Sequence, residues 1–156
     1  MGRKSTKTNK SRYQITRENA NMTRANVADI TDNVISESKL EKIENGTQRV
    51  DPYDVVKLAE IYNNPELCNY YCTNECAIGA KFVPKVDNIH DLPRTTLQIL
   101  SSLNQLQRDK ETIIDIVSDG VVTEDEKGAF DEFRSHLDEM SLAIETLKLW
   151  VEKELS

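Results

Sequence analysis

Long apolar runs are missing from this chain of 156 residues, and none approaches the ~20 residues that a bilayer-spanning helix requires. The N-terminus carries no apolar signal core, so no membrane partner is expected and the expected compartment is the cytoplasm. Stretches in which Val, Ile and Tyr alternate over the length of a strand are also absent, while runs of Leu, Glu, Lys and Ala are long. The expected class is therefore all-α. No glycine-rich phosphate loop and no nucleophile motif occurs, and the two histidines stand apart, His90 in a helix-breaking stretch and His136 beside Ser135 on a charged helix face. Both read as solvated. Neither an enzymatic activity nor a cofactor is expected.

Positive charge is short overall, with a net of −7, but the shortage is local. Residues 1–50 hold 10 Lys and Arg against 6 Asp and Glu, whereas residues 51–156 hold 10 against 21. Because salt screens charge over roughly 8 to 10 Å, the basic first third can still approach phosphates while the acidic remainder faces away. Within it, residues 1–12 read as a flexible basic arm. Arg3, Lys4, Lys7 and Lys10 sit among Gly, Ser, Thr and Asn with no apolar anchor after Met1, so the stretch is either a solvated terminus or a source of phosphate and minor-groove contacts.

Four helix signals follow. Tyr13 to Ala20 forms the first, and Thr23 caps a second that buries Val27, Ala28 and Ile30. Thr31, Asp32 and Asn33 make a turn, and Asn tolerates the left-handed conformation that such a turn demands. A third, amphipathic helix begins at Ile35-Ser36 and stops on Asn45-Gly46. Ile35, Leu40 and Ile43 mark its inner face, which leaves Ser36, Glu37, Ser38, Lys39 and Lys42 outward. Asp51 then caps a fourth helix with Pro52 in its first turn and Val55, Val56, Leu58, Ala59 and Ile61 along it.

The segment Thr23 to Tyr62 resembles the Cro and phage-repressor type of helix-turn-helix, the xenobiotic-response-element family. Val27-Ala28 stands for the usual Leu-Ala of the second helix, Leu40-Glu41-Lys42-Ile43-Glu44-Asn45-Gly46 for the close of the third, and Leu58-Ala59 for the next. The resemblance covers roughly the first 65 residues and implies a compact bundle of about five helices, residues 13–80, with the third helix in the major groove of double-stranded DNA. The implied function is a transcriptional regulator, a bacterial, phage or mobile-element repressor. Two departures stand out: between Ala28 and Leu40 the chain is two residues longer than the pattern, and Asp32-Asn33 replaces the small residue of the turn. Glu37, Glu41 and Glu44 also repel phosphate, although a Glu can accept a hydrogen bond from cytosine N4. The N-terminal residues of a reading helix enter the groove deepest, which nominates Ser36, Glu37, Ser38 and Lys39 for bases, then Lys42. Arg24, Gln48 and Arg49 are the candidates for phosphates.

All three cysteines fall at Cys68, Cys72 and Cys76. Spaced i, i+4 and i+8, they share one helix face if the helix persists, and serve either as small apolar packing residues or as three thiolates for zinc or an iron-sulfur cluster, with His90, another chain or solvent as a fourth ligand. On the second reading the protein is a metal- or redox-responsive sensor. Gly79, Pro84, Val86 and Asn88 interrupt any helix, and residues 81–91 read as a linker.

Residues 92–156 read as a helical hairpin. One stripe runs Leu92, Thr96, Ile99, Leu103, Leu106, Lys110, Ile113 and Val117, widened by Leu97, Leu100 and Ile114. The other runs Phe130, Phe133, Leu137, Met140, Ile144, Leu147 and Val151, with Leu142 and Trp150 at its flank. A hairpin alone cannot bury stripes this wide, so a second copy is expected to complete a four-helix bundle and place two reading helices about 34 Å apart on a palindromic site. Residues 115–126 imitate a calcium loop, but Val117 stands where an oxygen ligand belongs. An Asp119-Gly120 turn with Thr123 and Glu126 as a capping box is the plainer reading. If the DNA-reading bundle were only a retained scaffold, the protein would be an adaptor that binds other proteins.

Overall fold

The computed structural model describes residues 9–87, 89 and 92–155. All regular structure among them is helical: α1 (Arg12–Asn19), α2 (Arg24–Ile30), α3 (Glu37–Glu44), α4 (Pro52–Ile61), α5 (Glu66–Asn74), α6 (Gly79–Phe82), α7 (Leu92–Val117) and α8 (Lys127–Leu155). The protein is all-α, and the chain divides after Lys81 into two compact units. Arg3, Lys4 and Lys7 of the basic arm lie outside the described residues, as does His90. The end of that arm is already built into the first unit. Ser11 caps α1 by accepting from the Gln14 N–H. Lys10 donates to Glu18 at 2.7 Å, and this bond, with a second from Gln14, holds the Glu18 carboxyl below its ordinary range.

Helix ends in the first unit follow one plan. α1, α2, α3 and α4 each close with a left-handed residue, Asn21, Asp32, Gly46 and Asn63. In each case the next residue's N–H reaches back to a carbonyl five positions earlier, as from Met22 to Arg17, Asn33 to Ala28, Thr47 to Lys42 and Asn64 to Ala59. This is the Schellman closure. Only one of the four uses glycine. Asn and Asp supply the others because their short polar side chains tolerate the left-handed region better than most residues do. The long turn between α2 and α3 has a second left-handed residue, Asn33, after Asp32. Thr31 braces it: its buried hydroxyl donates to the Val27 carbonyl at 2.9 Å and accepts from the Ile35 N–H at 3.2 Å.

That brace corrects one expectation. Ile30 is 57% exposed, because Thr31, four residues after Val27, takes the inward position that Ile30 was assigned. α3 also starts later than Ile35. Ser36 is its cap, and Ile35 lies just ahead of the cap, where it and Leu40, the fourth helical residue, occupy the two positions of a hydrophobic staple. Ile35, Leu40, Leu58 and Leu67 are withdrawn completely from solvent, and each such side chain contributes on the order of 1.5–3 kcal/mol. Tyr13 ties α1 to α5, with its hydroxyl donating to Glu75 at 3.0 Å and its ring edge-on to Tyr70 at 6.0 Å.

α5 ends at Asn74, so Cys76 falls beyond the helix face that holds Cys68 and Cys72. None of the three is in a disulfide. The stretch expected to be irregular contains α6, whose first residue packs on α5 so closely that a Cβ on Gly79 would lie 2.2 Å from the Cys72 carbonyl oxygen. The Gly79 N–H donates to the Cys76 sulfur at 3.4 Å.

In the second unit α7 and α8 pack as an antiparallel hairpin. The turn between them is a cap: Glu126 accepts from the Thr123 N–H at 2.9 Å and from its hydroxyl at 2.6 Å, and Asp119 accepts from the Val121 N–H at 3.0 Å. Two would-be calcium ligands are thereby spent on the turn. The seam, however, is displaced. On α7 the inward line is Thr95, Ile99, Ser102, Leu106, Asp109, Ile113 and Ile116, and on α8 it is Ala129, Phe133, His136, Met140, Ala143, Leu147 and Trp150, joined towards the C-terminal end by the buried Thr146 and Leu149. Both lines alternate four and three residues. They share Ile99, Leu106 and Ile113, or Phe133, Met140 and Leu147, with the expected stripes, and every other position has moved one residue back, a rotation of roughly 40° for each helix.

The physical reason lies in the residues brought inward. Thr95, Ser102, Ala129 and Ala143 are small and let the two helices approach. Asp109 meets His136 at 2.6 Å, which also corrects the expectation that His136 is solvated. This pair sets the register, and helical repetition then places Ser102 opposite Ala143 and Thr95 opposite Trp150.

Candidate nucleic-acid interface

α3 is short, and its placement depends on polar anchors at both ends. Ser36 is spent as the N-cap, its hydroxyl oxygen accepting from the Lys39 N–H at 3.3 Å. The Lys39 ammonium pairs with the buried Asp54 carboxylate of α4 at 2.7 Å. At the other end Glu44, fully withdrawn from solvent, holds two arginines. Arg17 of α1 donates to both of its carboxylate oxygens, Nε to Oε1 at 2.6 Å and Nη2 to Oε2 at 3.1 Å, and Arg24 of α2 donates its Nε to Oε2 at 2.9 Å. Arg17 also donates to the Met22 carbonyl, and Arg24 to Glu41 at 3.0 Å. Burial by itself pulls the Arg17 guanidinium down, yet the hydrogen bond and charge of Glu44 outweigh it and hold that group above its ordinary value. The same surroundings push the Tyr62 phenol up, through burial first and the Glu44 charge second.

These bonds alter the electrostatics of the helix. Glu44 is not a surface carboxylate, and Glu41, which is exposed, shares Arg24. Of the three acidic residues that would repel phosphate, only Glu37 is both exposed and without an ion-pair partner among the described residues. Of the eight residues nominated from the sequence, Ser36, Lys39 and Arg24 hold the helix in place. Glu37, Ser38, Lys42, Gln48 and Arg49 are exposed and pair with no other side chain among the described residues. Ser38 and Lys42 stand one turn apart on one line of α3, with Glu37 and Glu41 beside them. Gln48 and Arg49 follow the Gly46 closure, in which the Lys42 carbonyl accepts from the N–H groups of both Thr47 and Gln48. The face therefore offers hydroxyl, ammonium, amide and guanidinium donors beside one uncompensated carboxylate.

Arg17 was not nominated. Its signal in the sequence was weak: an Arg next to Thr16 on a helix whose only strong apolar residues are Tyr13 and Ile15 gives no hint of a buried partner twenty-seven positions later. Among the described residues no group of three His, Cys, Asp or Glu is arranged to hold a metal ion, Cys68, Cys72 and Cys76 included. No described helix is long and apolar enough to cross a membrane. No protein-family model matches the chain, and no curated protein or solved structure does.

Proposed function

We propose that the first unit is a sequence-specific DNA-binding module, with α3 entering the major groove of double-stranded DNA and the protein regulating transcription. The observation that carries this reading is the division of labour on α3. Its buried side and both its ends are fixed by Ile35, Leu40, Ile43, Asp54, Arg17 and Arg24, while Ser38 and Lys42 project from a rigid helix with Gln48 and Arg49 beyond it. A reading helix needs this rigidity, since base edges discriminate only against donors held in place. In this assignment Ser38, Lys42 and Glu37 meet base edges and Arg49 and Gln48 meet phosphates. Arg24, Ser36 and Lys39 position the helix.

Selection of binding sites from random duplex DNA by the full chain tests the proposal. The expected result is enrichment of one recurrent sequence, with Lys42→Ala altering which bases are preferred and Arg49→Ala weakening all sequences alike while lowering the salt slope by about 1. Enrichment of no sequence, with binding that is only salt-sensitive, would remove the reading and leave the first unit as a protein-binding scaffold.

A further inference from the structure

The hairpin of the second unit takes small and polar residues into its seam and leaves large apolar side chains outside it. On α7, Leu103, Ile114 and Val117 are 45–53% exposed, although Thr95 and Ser102, one position away in the repeat, are inside. On α8, Leu137, Ile144 and Val151 are 37–43% exposed while Ala143 is buried. Both outward lines are displaced from their inward line in the same sense along the chain. Because the two helices run antiparallel, equal displacements bring both lines to the same side of the hairpin. The opposite side is different in kind. There Lys85, Val86 and Asp87 border a hollow of about 390 Å³ whose helix walls include Gln98, Ser101, Glu139 and Leu142. One side of the hairpin is thus partly covered by its own chain, and the other exposes Leu100, Leu103, Ile114 and Val117 of α7 and Leu137, Ile144 and Val151 of α8, with Lys110 and Lys148 set among them.

We infer that this apolar side is the interface between two copies of the chain, which join their hairpins into a four-helix bundle. Its dimensions fit that occupant. α7 has 26 residues, so this side is about 39 Å long, and two helices make it roughly 20 Å wide, or ~800 Å² for each partner, the size of a standard stable interface. Its periodicity fits as well. Leu103 and Val117 on α7 and Leu137, Ile144 and Val151 on α8 recur at multiples of seven residues, and a surface of that repeat is complemented by helices of the same repeat and length, which a second hairpin supplies. The inward Asp109–His136 pair has a role in this arrangement. It fixes α7 on α8 in one register and so presents one outward face to the partner.

Sedimentation of the full chain without DNA tests the inference independently of any nucleic-acid activity. A dimer is expected. The double variant Leu103→Lys/Ile144→Lys is expected to raise the dissociation constant at least about 100-fold, since it sets charges against the centre of a desolvated patch. Gln98→Lys, on the covered side, is expected to remain dimeric. Circular dichroism and Trp150 fluorescence are expected to stay as in the parent, which separates loss of association from loss of fold. The inference is overturned if the parent is monomeric at about 100 µM, where even a weak homodimer forms. It is equally overturned if the double variant stays dimeric, or if the monomeric parent instead floats with phospholipid vesicles.

Discussion

In the first unit Ile35, Leu40, Leu58 and Leu67 are taken wholly out of solvent, and the charges that go in with them, Arg17 and Glu44, go in paired. In the second, Thr95 and Ser102 are inside while Leu103, Ile114 and Val117 stand half in solvent. Two units of similar length therefore close their cores with different kinds of polar group. The first pairs its buried charges by itself, Arg17 with Glu44 and Lys39 with Asp54, and what it leaves exposed on α3 is polar and directional. The second leaves apolar surface unsatisfied along one side, as association requires. The chromophores follow the same division: all five tyrosines lie between residues 13 and 71, and the single tryptophan is Trp150. Tyrosine absorbance and tryptophan fluorescence consequently report the two units separately.

The largest effect that would break this comparison is expected at Glu44. Glu44→Ala leaves the buried Arg17 without its counter-charge and is expected to cost the first unit about 3–5 kcal/mol in urea unfolding followed by tyrosine absorbance. Glu41→Ala, which removes only an exposed partner of Arg24, is expected to cost no more than about 1 kcal/mol. Equal costs would show that the network is a surface feature after all. Next comes Gly79→Ala, whose Cβ has no room beside the Cys72 carbonyl. Backbone must shift to admit it, and a loss of about 1–3 kcal/mol is expected in the same assay.

Thr95→Val is expected to act in the other direction. The Thr95 hydroxyl is buried with no hydrogen-bond partner among the described residues, so an apolar replacement of nearly the same shape should stabilise the second unit by about 1 kcal/mol, read from Trp150 fluorescence. A destabilised variant would mean that the hydroxyl is satisfied in solution. A last effect is expected from alkali and is confined to the first unit. Burial raises the folded pKa of Tyr13 and Tyr62 above the ordinary 10.0, with Glu75 adding to the first and Glu44 to the second. A raised value means that the associated stability is complete below pH 10 and is lost as pH rises through the folded values. The tyrosine-reported transition should weaken above pH 10 while the helicity and Trp150 signal of the hairpin do not follow it.

Much of this architecture was legible in the residues. The cap at Thr23, the stop at Gly46, the Asp51-Pro52 start and both long helices are local events, each determined by a few neighbours, and the structure has them where the chain signals them. The inner face of α3 was equally plain because Ile35, Leu40 and Ile43 leave one choice. The hairpin seam was not. Apolar residues occupy three adjacent lines of each long helix, so two frames about 40° apart satisfy the periodicity, and only the meeting of Asp109 with His136 and the fit of small residues select between them. Residues twenty-seven apart decide that choice, as they decide the Arg17–Glu44 pair, and sequence spacing carries no information about either. For the candidate site the consequence is specific. Of the residues read as outward, Glu37, Ser38 and Lys42 are exposed, whereas Ser36 is taken up as the cap and the commitments of Arg24 and Lys39 depend on carboxylates brought from elsewhere.

The measurement that bears most directly on the central claim is the ratio of affinities for a selected duplex and a scrambled one, taken at fixed salt for the parent, Ser38→Ala, Lys42→Ala and Lys127→Ala. Ser38→Ala and Lys42→Ala are each expected to lower the ratio by about 1–3 kcal/mol while Lys127→Ala, on the hairpin, leaves it unchanged. A ratio that is the same in all four proteins would contradict that claim.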